Sequence, residues 1–321
     1  MKKFFFLTAI AVSLFSFNSC NNDDDHPVNP GSKDAILKIQ AGITAIDVVG
    51  TKASVVSAFP EGTNIGLFVT SGSLGDNNNS YKENDNALSV FRNGIWNQTP
   101  EIRLAGDNAT VYAYYPYSSN NTDGRSIFVD HATQQDYMYG THTPGQSAIN
   151  KDNPAVSLTM KHAMALVQFN ISKVNYPWQG KLTRIEIANA DKKTILFNEG
   201  LMDISTGTIK NIEGKNRPAS IQAYSDIYPL LTIPEKPSQL EADFLKVFVL
   251  PIKSTGGEGD VVFNFTIDGR IYTWKVPANT TWKAGTKNTY AVTINGSSLK
   301  IGNVNISDWT GGISANLIIT D

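Results

Sequence analysis

Cysteine is almost absent from this chain of 321 residues: Cys20 is the only one. A single cysteine excludes an internal disulfide, a thiolate zinc site and a C-x-x-C redox pair. Histidine is scarce as well, and His26, His131, His142 and His162 form no i, i+4 pair around a glutamate of the kind that holds catalytic zinc. His131 and His142 read as surface histidines, and His162 as a packed, hydrogen-bonded one. A basic surplus is missing: 27 Lys and Arg against 29 Asp and Glu leave a formal charge of −2. Nothing is then left over to neutralise phosphates, which argues against a nucleic-acid partner. No apolar run reaches the roughly 20 residues of a membrane-crossing helix. A phosphate-binding glycine loop is also missing. Residues 76–80 begin like a calcium loop, but Tyr81 stands where glycine is required and Ala87 where the closing acid belongs. Glu61, Glu83, Asp85, Glu258 and Asp260 lie near turns, and no two of them stand out as a glycosidase pair. The expectation is a protein that is not an enzyme and carries no metal or cofactor.

The first twenty-five residues are the most informative. Met1-Lys2-Lys3 is a basic head, residues 4–17 are apolar apart from Thr8, Ser13 and Ser16, and Ser19-Cys20 follows. This is the layout of a secretory signal. It resembles a lipoprotein signal cut between Ser19 and Cys20, although Phe17 stands where leucine is commoner. In that reading Cys20 is acylated and becomes the mature N-terminus. The acidic run Asp23-Asp24-Asp25 resembles a tag for export to the outer cell surface; a plain signal peptide with an incidental cysteine is the other reading. One acyl chain, at about 0.8 kcal/mol per buried methylene, holds only marginally, whereas two or more anchor stably. The expected parts are a signal peptide over 1–19, a lipidated flexible tether over 20–34, and a body held at the outer membrane and exposed at the surface. The tether is rich in Asn, Asp, Pro, Gly and Ser.

From Ile36 onward, short β-branched and aromatic runs alternate with Gly, Asn, Asp and Pro clusters, which predicts an all-β sandwich or barrel. Strands are expected over 35–49 (one or two), Asn64–Thr70, 87–96, 109–117, 182–187, 194–198, 200–209, 244–252, 290–294, 301–306 and 316–320. Residues 71–86 form a long surface loop. Residues 156–171 read as two strands meeting near His162, with Val167, Phe169 and Ile171 on one face. The clearest hairpin spans 261–276 around Asp268-Gly269, a type I′ pair. That turn sets Phe263 opposite Trp274 and Phe265 opposite Tyr272. Roughly 300 residues after the signal suggest two units, a first of 35–163 and a second of 164–321.

Several stretches together resemble the fimbrillin family, the subunits of type V pili of anaerobic Gram-negative bacteria. They are residues 111–117 (VYAYYPY), 135–140 (QDYMYG), 157–169 (SLTMKHAMALVQF) and 304–311 (VNISDWTG), with Thr51-Lys52-Ala53 ahead of 62–69 (GTNIGLFV). The resemblance implies two transthyretin-like β-sandwich domains in tandem. It implies a lipidated precursor whose first strand fills a groove in the first sandwich until a surface protease removes strand and anchor together. A strand from another fimbrillin subunit then takes the groove, giving donor-strand exchange, a fimbrium and cell adhesion. The removable segment would be 35–50, with Ile36, Leu37, Ile39, Ile43, Ile46 and Val48 as apolar knobs. The cut would fall at Lys52-Ala53, where the family usually has arginine; no arginine precedes Arg92. Either the protease accepts lysine, or this subunit keeps its strand and serves as an anchor or accessory. The donor would come from the C-terminal end, with Ile301, Val304, Ile306, Leu317 and Ile319 as its apolar residues, and an ordinary last strand explains that end equally well.

Two other functions remain open from the residues alone. A surface glycan-binding lipoprotein of a polysaccharide-uptake system would display exposed coplanar rings, for which Tyr112, Tyr114, Tyr115, Tyr117, Trp96, Trp178 and Trp282 are the candidates. A jelly-roll glycoside hydrolase would need two facing carboxylates. Beyond other subunits and the outer membrane, the partners left to consider are a host protein or glycan ligand.

Overall fold

Period-2 alternation decides the architecture. The computed structural model describes residues 34–43, 59–212, 220–225, 231–236 and 245–308. Among them helix is confined to two short 3-10 turns, Lys82–Asn84 and His131–Thr133. The chain is all-β, as its sequence predicts.

The first half supplies β1 (Ala35–Ile36), β2 (Lys38–Ile43), β3 (Asn64–Thr70), β4 (Ala87–Arg92), β5 (Ile95–Thr99), β6 (Arg103–Leu104), β7 (Thr110–Tyr115), β8 (Ile127–Asp130), β9 (Met138–His142) and β10 (Ala155–His162). Seven of these form one sheet in the order β2-β10-β9-β7-β3-β4-β5. The sheet curls until its two outer strands, β2 and β5, come alongside each other. Its interior is a core of Leu37, Ile39, Ile65, Leu67, Val69, Trp96, Ile102, Leu104, Val111, Met138, Val156, Leu158 and Met160 with their neighbours.

The second half supplies β11 (Ala165–Val174), β12 (Lys181–Asn189), β13 (Glu199–Asp203), β14 (Thr208–Asn211), β15 (Ser220–Ser225), β16 (Leu231–Thr232), β17 (Lys246–Val249), β18 (Val261–Ile267), β19 (Arg270–Lys275), β20 (Thr286–Asn295) and β21 (Ser298–Asp308). Two sheets, β17-β11-β20-β21 and β15-β12-β18-β19, face each other. Phe169 of β11 meets Phe263 and Phe265 of β18 edge-on at 5.0 and 5.5 Å, a geometry that favours the ring quadrupoles. Every buried residue of this core lies between Ala165 and Ile294. A third, smaller sheet, β14-β13-β8, draws on both halves. Beneath it Phe68, Tyr114, Ile127 and Val129 pack with Met164, Met202, Ile204 and Leu250.

The 261–276 hairpin has the expected register, Phe263 opposite Trp274 and Phe265 opposite Tyr272. Asp268 and Gly269 both take positive φ, 47° and 74°, as a type I′ turn requires. Residues 155–171 are the expected two strands, with Val167, Phe169 and Ile171 fully buried.

Three expected strands differ. Residues 87–96 are a hairpin, β4 and β5, turned at Asn93-Gly94 with φ of 51° and 77°. Residues 200–209 likewise fold back on themselves as β13 and β14. Residues 194–198 are not a strand. The Asn189 carboxamide accepts the backbone N–H groups of Ile195 and Leu196, and its own N–H₂ donates to the Leu196 carbonyl. One side chain thus takes the place of a strand ladder.

Candidate functional site at the first strand

Residues 35–42 alternate strictly. Leu37 and Ile39 point into the first core and Ala41 packs at its margin, while Ile36, Lys38 and Gln40 are exposed. The backbone is bracketed on two sides. At the start, Ala35 and Ile36 pair antiparallel with Leu104 and Arg103, and the Leu37 N–H donates to the Ile102 carbonyl at 2.9 Å. The chain then changes partner. The Lys38 N–H donates to the Pro154 carbonyl at 2.9 Å, and β2 runs parallel to β10 from Lys38↔Ala155 to Ile43↔Met160.

β2 is therefore the strand that closes the seam between β10 on one side and β5 with β6 on the other. β10 is itself a regular alternation, with Val156, Leu158, Met160 and His162 inward and Ala155, Ser157 and Thr159 facing out. Phe59 meets the Trp96 ring edge-on at 5.2 Å beside this seam. Burial of Leu37 and Ile39 is worth about 1.5–3 kcal/mol each.

Tyr81 and His142, near the seam, are hydrogen-bonded within the fold. The Tyr81 hydroxyl donates to the Asp107 carbonyl at 2.7 Å and accepts the Ala105 N–H at 3.1 Å. Burial pushes its pKa up, and the Ala105 hydrogen bond partly offsets the rise. His142, at the end of β9, accepts the Val111 N–H on Nε2 at 2.8 Å. That bond needs the neutral ring, and burial holds the pKa of His142 down.

Where the halves meet, buried His162 Nδ1 lies 2.9 and 2.8 Å from the two carboxylate oxygens of buried Asp136. Burial pushes the Asp136 pKa up, and the hydrogen bond and charge of His162 pull against that. His162 is thus the packed, hydrogen-bonded residue expected. His131, expected at the surface, is buried and donates its backbone N–H to the Asn198 carbonyl. His142 is half-buried. Among the described residues no three His, Cys, Asp or Glu side chains gather as a metal site.

The structure brings together only part of the expected set. Leu37 and Ile39 sit in the seam, and Ile36, 40% exposed, stands on its outer side. Ile301, Val304 and Ile306 lie on β21, which is paired with β20. Ile301 packs against the second core, whereas Val304 and Ile306 are 39% and 60% exposed. Ser19, Cys20, Ile46, Val48, Lys52, Ala53, Leu317 and Ile319 lie outside the described residues. Sequence reasoning missed the walls of the seam, Trp96, Ile102, Leu104 and Phe59. No local signal joins them to residue 37; only the even spacing of Val156, Leu158 and Met160 hinted at a strand with one buried face.

Among the aromatic candidates, Tyr114, Trp96 and Trp282 are buried, and Tyr112, Tyr115 and Tyr117 pack partly against the cores. Trp178 is exposed, but the Arg270 guanidinium lies 3.9 Å over its ring and Tyr176 meets it at 68°. These two rings are not coplanar and form no flat stacking platform.

A family model described as fimbrillin-like matches residues 51–309. The chain belongs to the fimbrillin-like family. The matched span begins after β2, so membership does not rest on the first strand. No curated protein matches the sequence. A crystal structure of a candidate cell adhesion protein from Bacteroides ovatus aligns over 87% of this chain and 99% of its own, at 17% identity and a TM-score of 0.62. Another, from Bacteroides uniformis, aligns over 86% and 99%, at 19% identity and a TM-score of 0.59. At these identities the likeness is one of fold, and in this chain that fold encloses the fimbrillin-like first core with β2.

Proposed function

We propose that this fimbrillin-like chain is a fimbrial subunit of the cell surface, tethered through a lipid on Cys20 and assembled by exchange of its first strand. The observation that carries the reading is the seating of residues 35–43. They come from the start of the chain, supply Leu37 and Ile39 to the first core, and occupy the free side of β10.

Their removal would uncover unpaired N–H and C=O groups along 155–160 and two apolar sockets, a template for another strand. A strand from a second subunit would restore both, the main chain giving affinity and the alternate side chains selectivity. Head-to-tail pairing of this kind does not close on itself, and so it propagates as a filament.

A surface protease cutting at Lys52-Ala53 would release the strand together with the lipid. If that bond is left intact, the same subunit keeps its strand and acts as an anchor or accessory, with a host protein or glycan as the ligand for adhesion. The test is limited trypsin treatment of the chain lacking residues 1–20, followed by intact mass and by gel lanes with and without heating. A cut after Lys52 and a ladder of heat-sensitive multimers are expected, and Lys52→Ala should abolish both. A cut chain that stays monomeric at high concentration would rule out exchange between identical copies.

A further inference from the structure

β21 carries two apolar alternations in opposite phase, Leu299 with Ile301 and then Val304 with Ile306. An unbroken strand would send the two pairs to opposite faces. A β-bulge prevents this. Val292 pairs with Ile301 and Tyr290 with Val304, so residues 302 and 303 together stand opposite Ala291. All four apolar residues thereby fall on the inner face of the second sandwich, the face of buried Val292 and Tyr290. Leu299 and Ile301 pack against that core. Val304 and Ile306, past the bulge, stay 39% and 60% exposed.

The flank on which they lie is open. β21 and β19 are the last strands of their two sheets and come together on this side. Among the described residues, neither has a strand on its outer edge. A bulge that turns two uncovered apolar side chains inward, beside an unpaired edge, makes a template for one more strand.

We propose that this flank is an interface with a second copy of the uncut chain, β21 pairing antiparallel with its counterpart about a two-fold axis at Val304. The interface is isologous and closes as a dimer. It does not depend on strand exchange at the first core. With the bulged pair counted as one position, Val304 meets Val304, and Ile306 of each copy meets Ile301 of the other. The uncovered side chains thus cover one another, and Lys300 on the outer face meets Ser307. The strand's one cation, Lys300, and its one anion, Asp308, stand near opposite ends. Antiparallel copies therefore bring unlike charges to each end, where parallel copies would bring like ones. Moving the axis to Asn305 would shorten the ladder and set Asp308 against Ile301.

The chain lacking residues 1–20 has no cysteine, so one introduced thiol reports the axis. On mild oxidation, Val304→Cys should give a covalent dimer about tenfold or more above Asn305→Cys, whose side chain turns to the other face. Equal yields at the two positions, or a dimer formed chiefly through Asn305→Cys, overturn the register. Sedimentation of the uncut parent should show a reversible dimer. Ile306→Lys, a change at an exposed position that puts a charge into the apolar row, should raise its Kd about tenfold or more. A dimer indifferent to Ile306→Lys places the contact elsewhere and overturns the interface. A parent that stays monomeric up to about 1 mM overturns it as well. None of these chains is cut, so the result leaves the strand-exchange reading to its own test.

Discussion

The core around Phe169 draws all its buried residues from positions 165–294, whereas the core around Leu67 takes Leu37 and Ile39 from the beginning of the chain. In the second, an interior strand, β11, lies between β17 and β20 and carries the central ring. In the first, the segment that completes the enclosure is the earliest of the described residues, β1 held by a ladder to β6 and β2 by a ladder to β10. Two cores of the same chemistry thus differ in where along the described chain the element that seals them lies. The strand exchange proposed above relies on that difference.

Substitutions in the two cores should separate the two behaviours. Phe169→Ala removes the ring that touches Phe263, Phe265 and Tyr290. It should cost about 3–5 kcal/mol and lower the denaturant midpoint of the whole chain. Leu37→Ala should cost about 2–5 kcal/mol, but its effect should concentrate in the first core. Peptides over 155–160 should gain hydrogen exchange while those over 165–174 hold. Equal gains in both would erase the distinction.

Titration sharpens the comparison further. Trp282 Nε1–H donates to the buried Tyr290 hydroxyl at 2.8 Å, and burial raises the pKa of Tyr290 to about 12. The folded state thus holds this proton more tightly than the unfolded state, whose tyrosine titrates near 10. Its contribution is whole below pH 10 and is lost as pH rises towards 12, about 2–3 kcal/mol in all. Alkaline unfolding followed by tryptophan fluorescence should show this loss, and Tyr290→Phe should flatten it.

Mild acid, between about pH 6.5 and 5, should act on the other half through its histidines. The lowered pKa values of Asp260 and Asp268 in the second half come into play only at lower pH. The described histidines all precede residue 163, and burial lowers the pKa of His131 and His142. Stability from a depressed histidine is present above the unfolded pKa near 6.5 and is lost as pH falls below it. His142→Gln, which can still accept the Val111 N–H, should weaken that pH dependence between about 6.5 and 5 by up to about 1 kcal/mol. An unchanged slope would remove His142 from the account. Asp85 and Asp136, whose pKa values burial raises, pull the other way, so the comparison is between variant and parent at each pH.

The sequence was most readable where turn chemistry and alternation coincide. Asp268-Gly269 fixes a hairpin and its register because both residues must take positive φ. Asn93-Gly94 carries the same signal inside 87–96, which the sequence reading nonetheless takes as one strand. Residues 194–198 look like a strand by composition, and only the distant Asn189 carboxamide shows why they are not. The first strand was legible as apolar, so that Leu37 and Ile39 could be named, but its phase was not, since Ile36 was named with them and faces outward. Its partner was not, because β10 lies more than a hundred residues away and parallel pairing leaves no turn between the strands to announce it. The walls contributed by Ile102, Leu104 and Trp96 were hidden for the same reason.

The most direct test is hydrogen exchange on the chain cut between residues 52 and 53 and held dilute enough to stay monomeric. The account predicts that peptides covering Val156–Met160 lose protection after release of the first strand, while peptides covering Val167–Ile171 keep theirs. Protection unchanged at 156–160 would mean that residues 35–43 do not close the first core, and strand exchange at this seam would fall with it.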